Sequence, residues 1–487
     1  MLPRLLLLYI VFISFATLTS TLVQAQKDLP QDYLPASFHK GRREAARALM
    51  PDSSVMVVLA APTRNYSNDV DYLYHQNPDL YYFTGYMEPN AVLLLFKEQQ
   101  KAADGSTYNE VFFVQKRNAR AEQWNGRRLG IEGTRKNLGI STVFNGEAFI
   151  HFTIDTSYIS KIIMAAPPED LANNKRDSAD LFDLIFALKN KVGFTSTEKP
   201  AKVDHRLFRE ITGKLREIKT PEELVLIRKA VEISCLAQNE VMKTVRADMS
   251  EMEIRGLHEF VHKKYGAESL GYGSIIGAGE NGCILHYMEN TKTRIGTEML
   301  LMDVGAEYHG YTADVTRTIP ADGKFSAEER AIYQLVYDAQ EAAFKILKDG
   351  AKWSDAAVAA KEVIANGLMN LGIIKTKAEA DTYYPHGLSH HIGLDVHDRG
   401  FSQTLKKGMV ITIEPGIYIP NDSKCDKKWW GIAVRIEDDA LIRENDYELL
   451  SSFAPRSIEG IEKMIAEKSL LDNYKLPPLQ SAQKKAF

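Results

Sequence analysis

The chain holds 487 residues, 45% of them hydrophobic and 25% charged, with a net charge of −4. That length exceeds one ordinary core, so two domains are expected in a protein of average globular composition. The weak negative charge argues against a nucleic-acid or anionic-membrane surface.

Residues 1–25 read as a secretory leader: Arg4, then the apolar run LLLLYIVFISFA, then Val23-Gln24-Ala25 as a small-residue cleavage site. The run is too short to span a bilayer, so the expectation is a secreted or periplasmic protein with no stable membrane anchor. An uncleaved anchor is the alternative. Residues 26–215 mix strand and helix signals, with buried strands expected at 54–61, 91–96 and 110–115. The aromatic-rich stretch between the first two strands suits loop and interface packing better than ligand contact. Polar segment 118–130, with Trp124 and paired arginines, is a surface or subunit-contact candidate.

A boundary is expected near residue 215, followed by a larger domain over 216–470 and a flexible tail over 471–487. Thr220-Pro221-Glu222-Glu223 is a helix start with a capping residue, Pro at the first helical position and a closing Glu. That helix should reach about Val245, with Leu224, Ile227, Val231 and Cys235 along one buried stripe. The three cysteines, Cys235, Cys283 and Cys425, are too few for a disulfide framework. Ser326-Ala327-Glu328-Glu329 opens a second long helix expected to end at Gly350, and a third covers about 354–371. Strand signals recur at 300–304, 311–318, 409–414, 416–419 and 432–437. The expected fold is therefore α+β, helices on a mostly antiparallel sheet, behind a smaller α/β amino-terminal domain.

The chemistry concentrates in this second half. Residues 300–318, LLMDVGAEYHGYTADVTRT, read as a hairpin. With the turn centred between Tyr308 and His309, Asp303 and Asp314 face each other directly, about 5 Å apart at Cβ. Two carboxylates that close among Leu, Met and Val need protons or cations between them. Downstream, His386, His390, His391 and His397 crowd into HGLSHHIGLDVHD. Glu414 ends an apolar strand, and Arg435 and Glu437 share a strand face with Ile436 on the other. Asp303, Asp314, His390, Glu414 and Glu437 thus form a candidate ligand set. Four negative charges match two divalent cations, and the oxygen-rich set favours Mn²⁺, with Co²⁺ or Zn²⁺ as alternatives. A paired metal centre can activate water and polarise a carbonyl, which is hydrolytic chemistry.

The ordered motifs DVGAEYHGYTADVTRT, HGLSHHIGLDVHD, TIEPGIYI and RIEDD resemble those of the dinuclear metallopeptidases of the pita-bread fold, most of all aminopeptidase P. ENGCILHYMEN around His286 and NPDLYYFTGYMEPNAVLLL in the first domain extend the resemblance over most of the chain. The resemblance implies that Asp303 and Glu437 bridge two metals, that Asp314 completes one site, and that His390 and Glu414 serve the other. Glu414 would also handle the proton of the attacking water. It further implies that His286 and His397 contact substrate, that His386 walls the pocket, that Arg435 holds the carboxylates, and that Tyr418 supports from behind. The implied substrate is a peptide with proline second, cut after its first residue by a homodimer or homotetramer. A prolidase confined to dipeptides and a metal-free peptide-binding module of the same fold are the alternatives.

One competing motif needs weighing. His258-Glu259-Phe260-Val261-His262 matches HExxH, the helical zinc signature with a glutamate base. Tyr265 stands where the extended motif has Gly. Ile254, Leu257 and Val261 supply a buried stripe that would leave both histidines on the polar flank of a solvated helix. His391 is expected to point away from His390, His309 to mark a hairpin tip, and Asp438 and Asp439 to cap a strand end.

Overall fold

The computed structural model describes residues 30, 32–102, 104–175, 177–194 and 200–473. The expected leader, and residues 474–487 of the expected tail, lie outside the described residues. Within them, no helix is long and apolar enough to cross a membrane.

The first half is built on a six-stranded mixed sheet. Its strand order is Val143–Asn145, Thr107–Val114, Val92–Lys101, Ser54–Leu59, Lys161–Met164, Val203–Asp204. The three strands read from sequence are its centre, and Ser54–Leu59 is buried along its whole length, as a continuous apolar run demands. Trp124 projects into solvent at 80% exposure. The helix Pro78–Thr84 starts with Asn77 capping the Asp79 amide and ends at Gly85, whose φ of +70° suits glycine.

The second half layers long helices on antiparallel strands. Pro221–Thr244 and Ala327–Phe344 both open on the capping boxes read from sequence, and Trp353–Asn370 follows. The middle helix stops at Phe344, six residues short of the expected Gly350. Gly350 instead carries a later turn at φ +79°. Met299–Val304 lies between Ile275–Ala278 and Val315–Pro320, antiparallel to both. Val410–Ile413 pairs with Asp438–Ile442, and Gly416–Ile419 with Ile432–Arg435.

The hairpin register departs from expectation by two residues. Tyr308 pairs Tyr311, so the tip is His309-Gly310, and Asp303 faces Thr316 rather than Asp314. The two aspartates are diagonal neighbours. A slip of two keeps every side chain on its face, whereas a slip of one would have turned Asp314 to the other side. The expected strand over 311–318 also breaks at Ala313-Asp314. Opposite the break, a Cβ on Gly305 would lie 2.0 Å from the Ala313 carbonyl oxygen, so only glycine allows this approach.

Two buried glutamines pin the carbonyls beside the breaks. Gln238 Nε2 donates to the oxygens of Met302 (2.9 Å) and Val315 (2.8 Å). Gln340 Nε2 donates to those of Ile413 (3.0 Å) and Ile436 (3.2 Å). Each carbonyl adjoins one of Asp303, Asp314, Glu414 or Glu437. Left unpaired in the core, each would cost about 1–3 kcal/mol.

Candidate metal centre

All nine candidate site residues line one cleft of about 490 Å³: Asp303, Asp314, Glu414, Glu437, His390, His286, His386, His397 and Arg435. They arrive from separate strand ends and loops. Asp303 and Asp314 come from the broken hairpin. Glu414 and Glu437 each sit one residue past Ile413 or in the gap between Ile432–Arg435 and Asp438–Ile442. Strand breaks free Asp314, Glu414 and Glu437 from the ladder, while Asp303 stays paired within Met299–Val304, and the four carboxylates converge. The expectation that Arg435 and Glu437 lie on one side holds, with Arg435 Nε 4.0 Å from Glu437 Oε2 and Ile436 in the core.

The electrostatics of the convergence are unbalanced. Asp314, His390 and Glu437 each offer a ligand atom, and these atoms lie within 4.8 Å of one another. His390 Nδ1 lies 3.0 Å from the His391 carbonyl oxygen, which can only accept, so this nitrogen carries the hydrogen. His390 therefore turns Nε2 to Glu414 (3.4 Å), Asp314 (3.5 Å) and Glu437 (3.9 Å). Three carboxylates gathered about one ring nitrogen repel one another unless a cation or proton sits among them. Burial, then the repulsion of Asp303 and Asp439, drives the Asp314 carboxyl well above its usual range. Burial, then Asp314 and Glu414, does the same to Glu437. Glu414 is also raised by burial, with His390 and Arg435 opposing. Asp303 alone is lowered: burial resists its ionisation, but the Arg435 guanidinium, 2.5 Å away, prevails. An oxygen-rich set with one imidazole and one counter-charge fits divalent cations.

Around this core runs a chain of oriented donors. Arg435 Nη1 donates to Tyr418 Oη at 2.8 Å. His386 Nδ1 lies 2.7 Å from the Gly387 carbonyl and so holds the ring hydrogen, which leaves Nε2 to accept from Tyr418 at 2.8 Å. Burial, then Arg435, lowers His386 to about 4 and keeps it neutral. His286 and His397 are exposed in the cleft, and the His397 ring stands edge-on to His390, 4.4 Å between centroids.

Four contributors escaped the sequence reading. Tyr272 Oη donates to Asp314 at 2.5 Å and, in a short contact, to Asp303, bridging the diagonal pair. Burial and the two aspartates hold it protonated, with a pKa well above the usual phenol value. Thr316 Oγ1 donates to Glu437 (2.7 Å), and Thr412 Oγ1 accepts from the His390 amide (3.2 Å). Asp439 does not cap a strand end. It lies wholly buried in Asp438–Ile442, accepts the Asp314 amide at 3.1 Å, and is pushed up to about 8 by burial. Asp438 instead meets Arg317 at 2.7 Å. A signal for Tyr272 existed: it precedes Ile275, which pairs directly with Asp303.

Comparison with known proteins bears on this centre. Residues 225–444 match metallopeptidase family M24, and residues 39–155 match the aminopeptidase P N-terminal domain. The chain is 33% identical over 451 residues to an Xaa-Pro aminopeptidase of Escherichia coli (strain K12), spanning 87% of this chain and 96% of that protein. The chain belongs to metallopeptidase family M24. An intermediate cleaving peptidase 55 of Schizosaccharomyces pombe is also 33% identical, over 88% of this chain and 87% of its own. The structure of Pseudomonas aeruginosa aminopeptidase PepP matches with a TM-score of 0.77 at 33% identity, covering 89% of this chain and 98% of that one. The M24 chain is thus a metallo-aminopeptidase, a hydrolase dependent on divalent metal ions, with a pita-bread domain behind an aminopeptidase P amino-terminal domain.

The HExxH helix is no part of the M24 cleft. His258 and His262 are not on a polar flank as expected: both are fully buried, with Ile254 and Val261, on the inner face of Glu251–Lys264. Histidine is small enough beside Ile254 and Val261 to continue the packed stripe, and burial lowers the pair to about 4 and about 3. Glu259 faces outward and pairs with Arg255 at 2.7 Å. His391 turns away from its neighbour, edge-on to Trp353. His309 marks the tip, bonded to Glu268 and to Asp32.

Proposed function

We propose that the cleft holds two divalent cations, Mn²⁺ first among them, and removes the first residue from peptides whose second residue is proline. Asp303 and Glu437 would bridge the pair, Asp314 would complete one coordination sphere, and His390 and Glu414 the other. When bound, the cations supply Lewis acidity to the scissile carbonyl and to the attacking water. The chain's own groups do the rest. Glu414, with a carboxyl raised by burial, takes the water's proton and passes it towards the leaving nitrogen. His286 and His397, exposed on the cleft wall, steady the substrate and the tetrahedral carbon. Arg435 keeps Asp303 ionised and, through Tyr418, fixes neutral His386 as a wall of the pocket.

The observation that carries this reading is the convergence of three carboxylates on His390 Nε2, with Asp314 and Glu437 buried and Glu414 half-buried. Such a cluster is costly without cations and inexpensive with them. Proline preference rests on the named relatives and on the motif resemblance. Cleavage of an Xaa-Pro-Yaa tripeptide with added Mn²⁺, with and without chelator, tests it. Release of free Xaa only with metal is expected, and an intact tripeptide beside a cleaved Xaa-Pro dipeptide identifies a prolidase.

Three further readings belong to the same proposal. The domain division falls near residue 215, residues 1–25 direct export and are removed, and the enzyme assembles as a homodimer or homotetramer through its first domain. The exposed Trp124 supports the last of these.

A further inference from the structure

Immediately after His397, the chain is anchored by a buried charge network that reaches into the first domain. The Asp398 side chain is 2% exposed and bonds Lys219 Nζ at 2.9 Å, with a short contact to Arg216 Nη2. Arg216 Nη1 continues to Asp79 Oδ1 at 2.8 Å, and Arg399 Nη1 meets Asp79 Oδ2 at 2.8 Å. Asp79 stands in the first turn of Pro78–Thr84, in the first domain's half of the chain. The Asp398 amide donates to the His391 carbonyl oxygen at 2.9 Å, the same oxygen that takes the His390 Nδ1 hydrogen. One carbonyl thus ties the candidate ligand His390 to the anchor residue beside His397. The packing around the anchor is closed: a Cβ on Gly393 would sit 2.2 Å from Asp398 Oδ2 and 2.9 Å from Lys219 Cε.

We propose that Asp79, Arg216 and Asp398 are positioning residues for His397, so that the first domain sets the geometry of the cleft it does not line. This rests on the reading of His397 as a substrate contact. A loop bearing an exposed histidine has many rotamers and backbone states available, and selecting one costs entropy at each turnover. Here the anchor sits one peptide from His397. Both of its side-chain oxygens and its amide are committed, to partners on two separate segments, residues 216–219 and His391. Loosening the Asp79 end removes a countercharge from Arg216, which then competes differently for Asp398. Displacement of His397 by a fraction of an ångström follows, with the ligand set untouched. The effect belongs to kcat, because a group that steadies the tetrahedral carbon acts after binding.

The test is a double-mutant cycle on the full-length metal-loaded enzyme with an Xaa-Pro-Yaa peptide. Asp79→Asn is expected to lower kcat about tenfold, with KM changed less than about twofold and metal content unchanged. In a His397→Ala background the same change is expected to cost nothing further. An equal loss in both backgrounds overturns the positioning role and leaves the assignment of His397 standing. A His397→Ala enzyme with wild-type kcat overturns the assignment instead. A second measurement needs no turnover: carbethoxylation of His397 and His286, followed by mass spectrometry. Asp79→Asn should speed modification of His397 severalfold while leaving His286 unchanged, and equal rates at His397 in both proteins refute the proposal. Should Asp79→Asn fail to fold, Arg399→Gln removes one of Asp79's two partners from a more exposed position, and the same acceleration is required of it.

Discussion

The molecule buries two clusters of charge, and they differ in what they leave over. Around Asp398, two carboxylates meet Arg216, Lys219 and Arg399, so every anionic oxygen described has a cationic partner. In the cleft, four carboxylates share Arg435 as their one guanidinium, and His390 Nε2 faces three of them. Burial is similar, since Asp79, Asp398, Asp314 and Glu437 are all under 10% exposed. The first cluster is complete and therefore serves to hold segments together. The second is incomplete by design of its residue types, and completeness arrives only with added positive charge. A charge inventory thus separates structural from catalytic burial where burial itself does not.

The comparison breaks most sharply on removing one ligand. Asp314→Ala is expected to lose bound divalent metal and to lower peptide hydrolysis by more than about 100-fold, since even outer partners of metal sites cost about 10–100-fold. Elemental analysis and initial rates check both. His262→Ala, on the HExxH helix, should change neither. A variant Asp314→Ala with full metal and full rate would sink the centre, whereas loss of metal only in His262→Ala would restore the zinc-helix reading.

The balanced cluster predicts a different loss. Asp398→Asn leaves Arg216 and Lys219 buried with their shared countercharge gone, at a cost of about 3–5 kcal/mol in unfolding free energy. Urea denaturation measures it. Metal content should stay at the wild-type level, because no ligand candidate is touched. Tyr272→Phe reverses that pattern: a hydroxyl bridging Asp303 and Asp314 disappears, so metal affinity or rate should fall about 10–100-fold with little change in stability.

Much of the cleft was legible because carboxylates in apolar runs are rare and costly, and the four carboxylate candidates announced themselves that way, while His390 stood out through the histidines crowded around it. The fold was legible where local chemistry decides it, as at Thr220 and Ser326, whose side chains cap their helices as their spacing demands. What failed was non-local. The turn at His309-Gly310 was placed one step early, because a positive φ at His309 (+50°) has weak sequence signature beside Gly310 (+83°). The even slip spared the conclusion, since it preserved the face. Tyr272 and Asp439 were missed because neither carries a motif: one matters through strand pairing with Asp303's strand, the other through a backbone amide. The histidine helix was misjudged because imidazole is both polar and packable, and the stripe of Ile254 and Val261 left room for it inside.

That helix supplies the last and smallest test. At neutral pH its histidines are uncharged, and exchanging them should leave hydrolysis unaltered. Acid separates the two states. In the unfolded chain each imidazole takes a proton near pH 6.5, while in the folded chain burial lowers His258 to about 4 and His262 to about 3. The unfolded state therefore binds more protons across that window, and stability falls as pH drops below about 6.5. Each group contributes about 1.4 kcal/mol per pH unit until its folded value is reached. His258 Nε2 and both ring nitrogens of His262 have no hydrogen-bond partner among the described residues, so nothing compensates a proton there. Urea denaturation at pH 7 and pH 5 of the native sequence and of His258→Leu/His262→Leu isolates the term, because all other titrating groups cancel in the difference. The double variant should lose distinctly less stability between the two pH values, and parallel losses would mean that both rings find a proton acceptor on acidification.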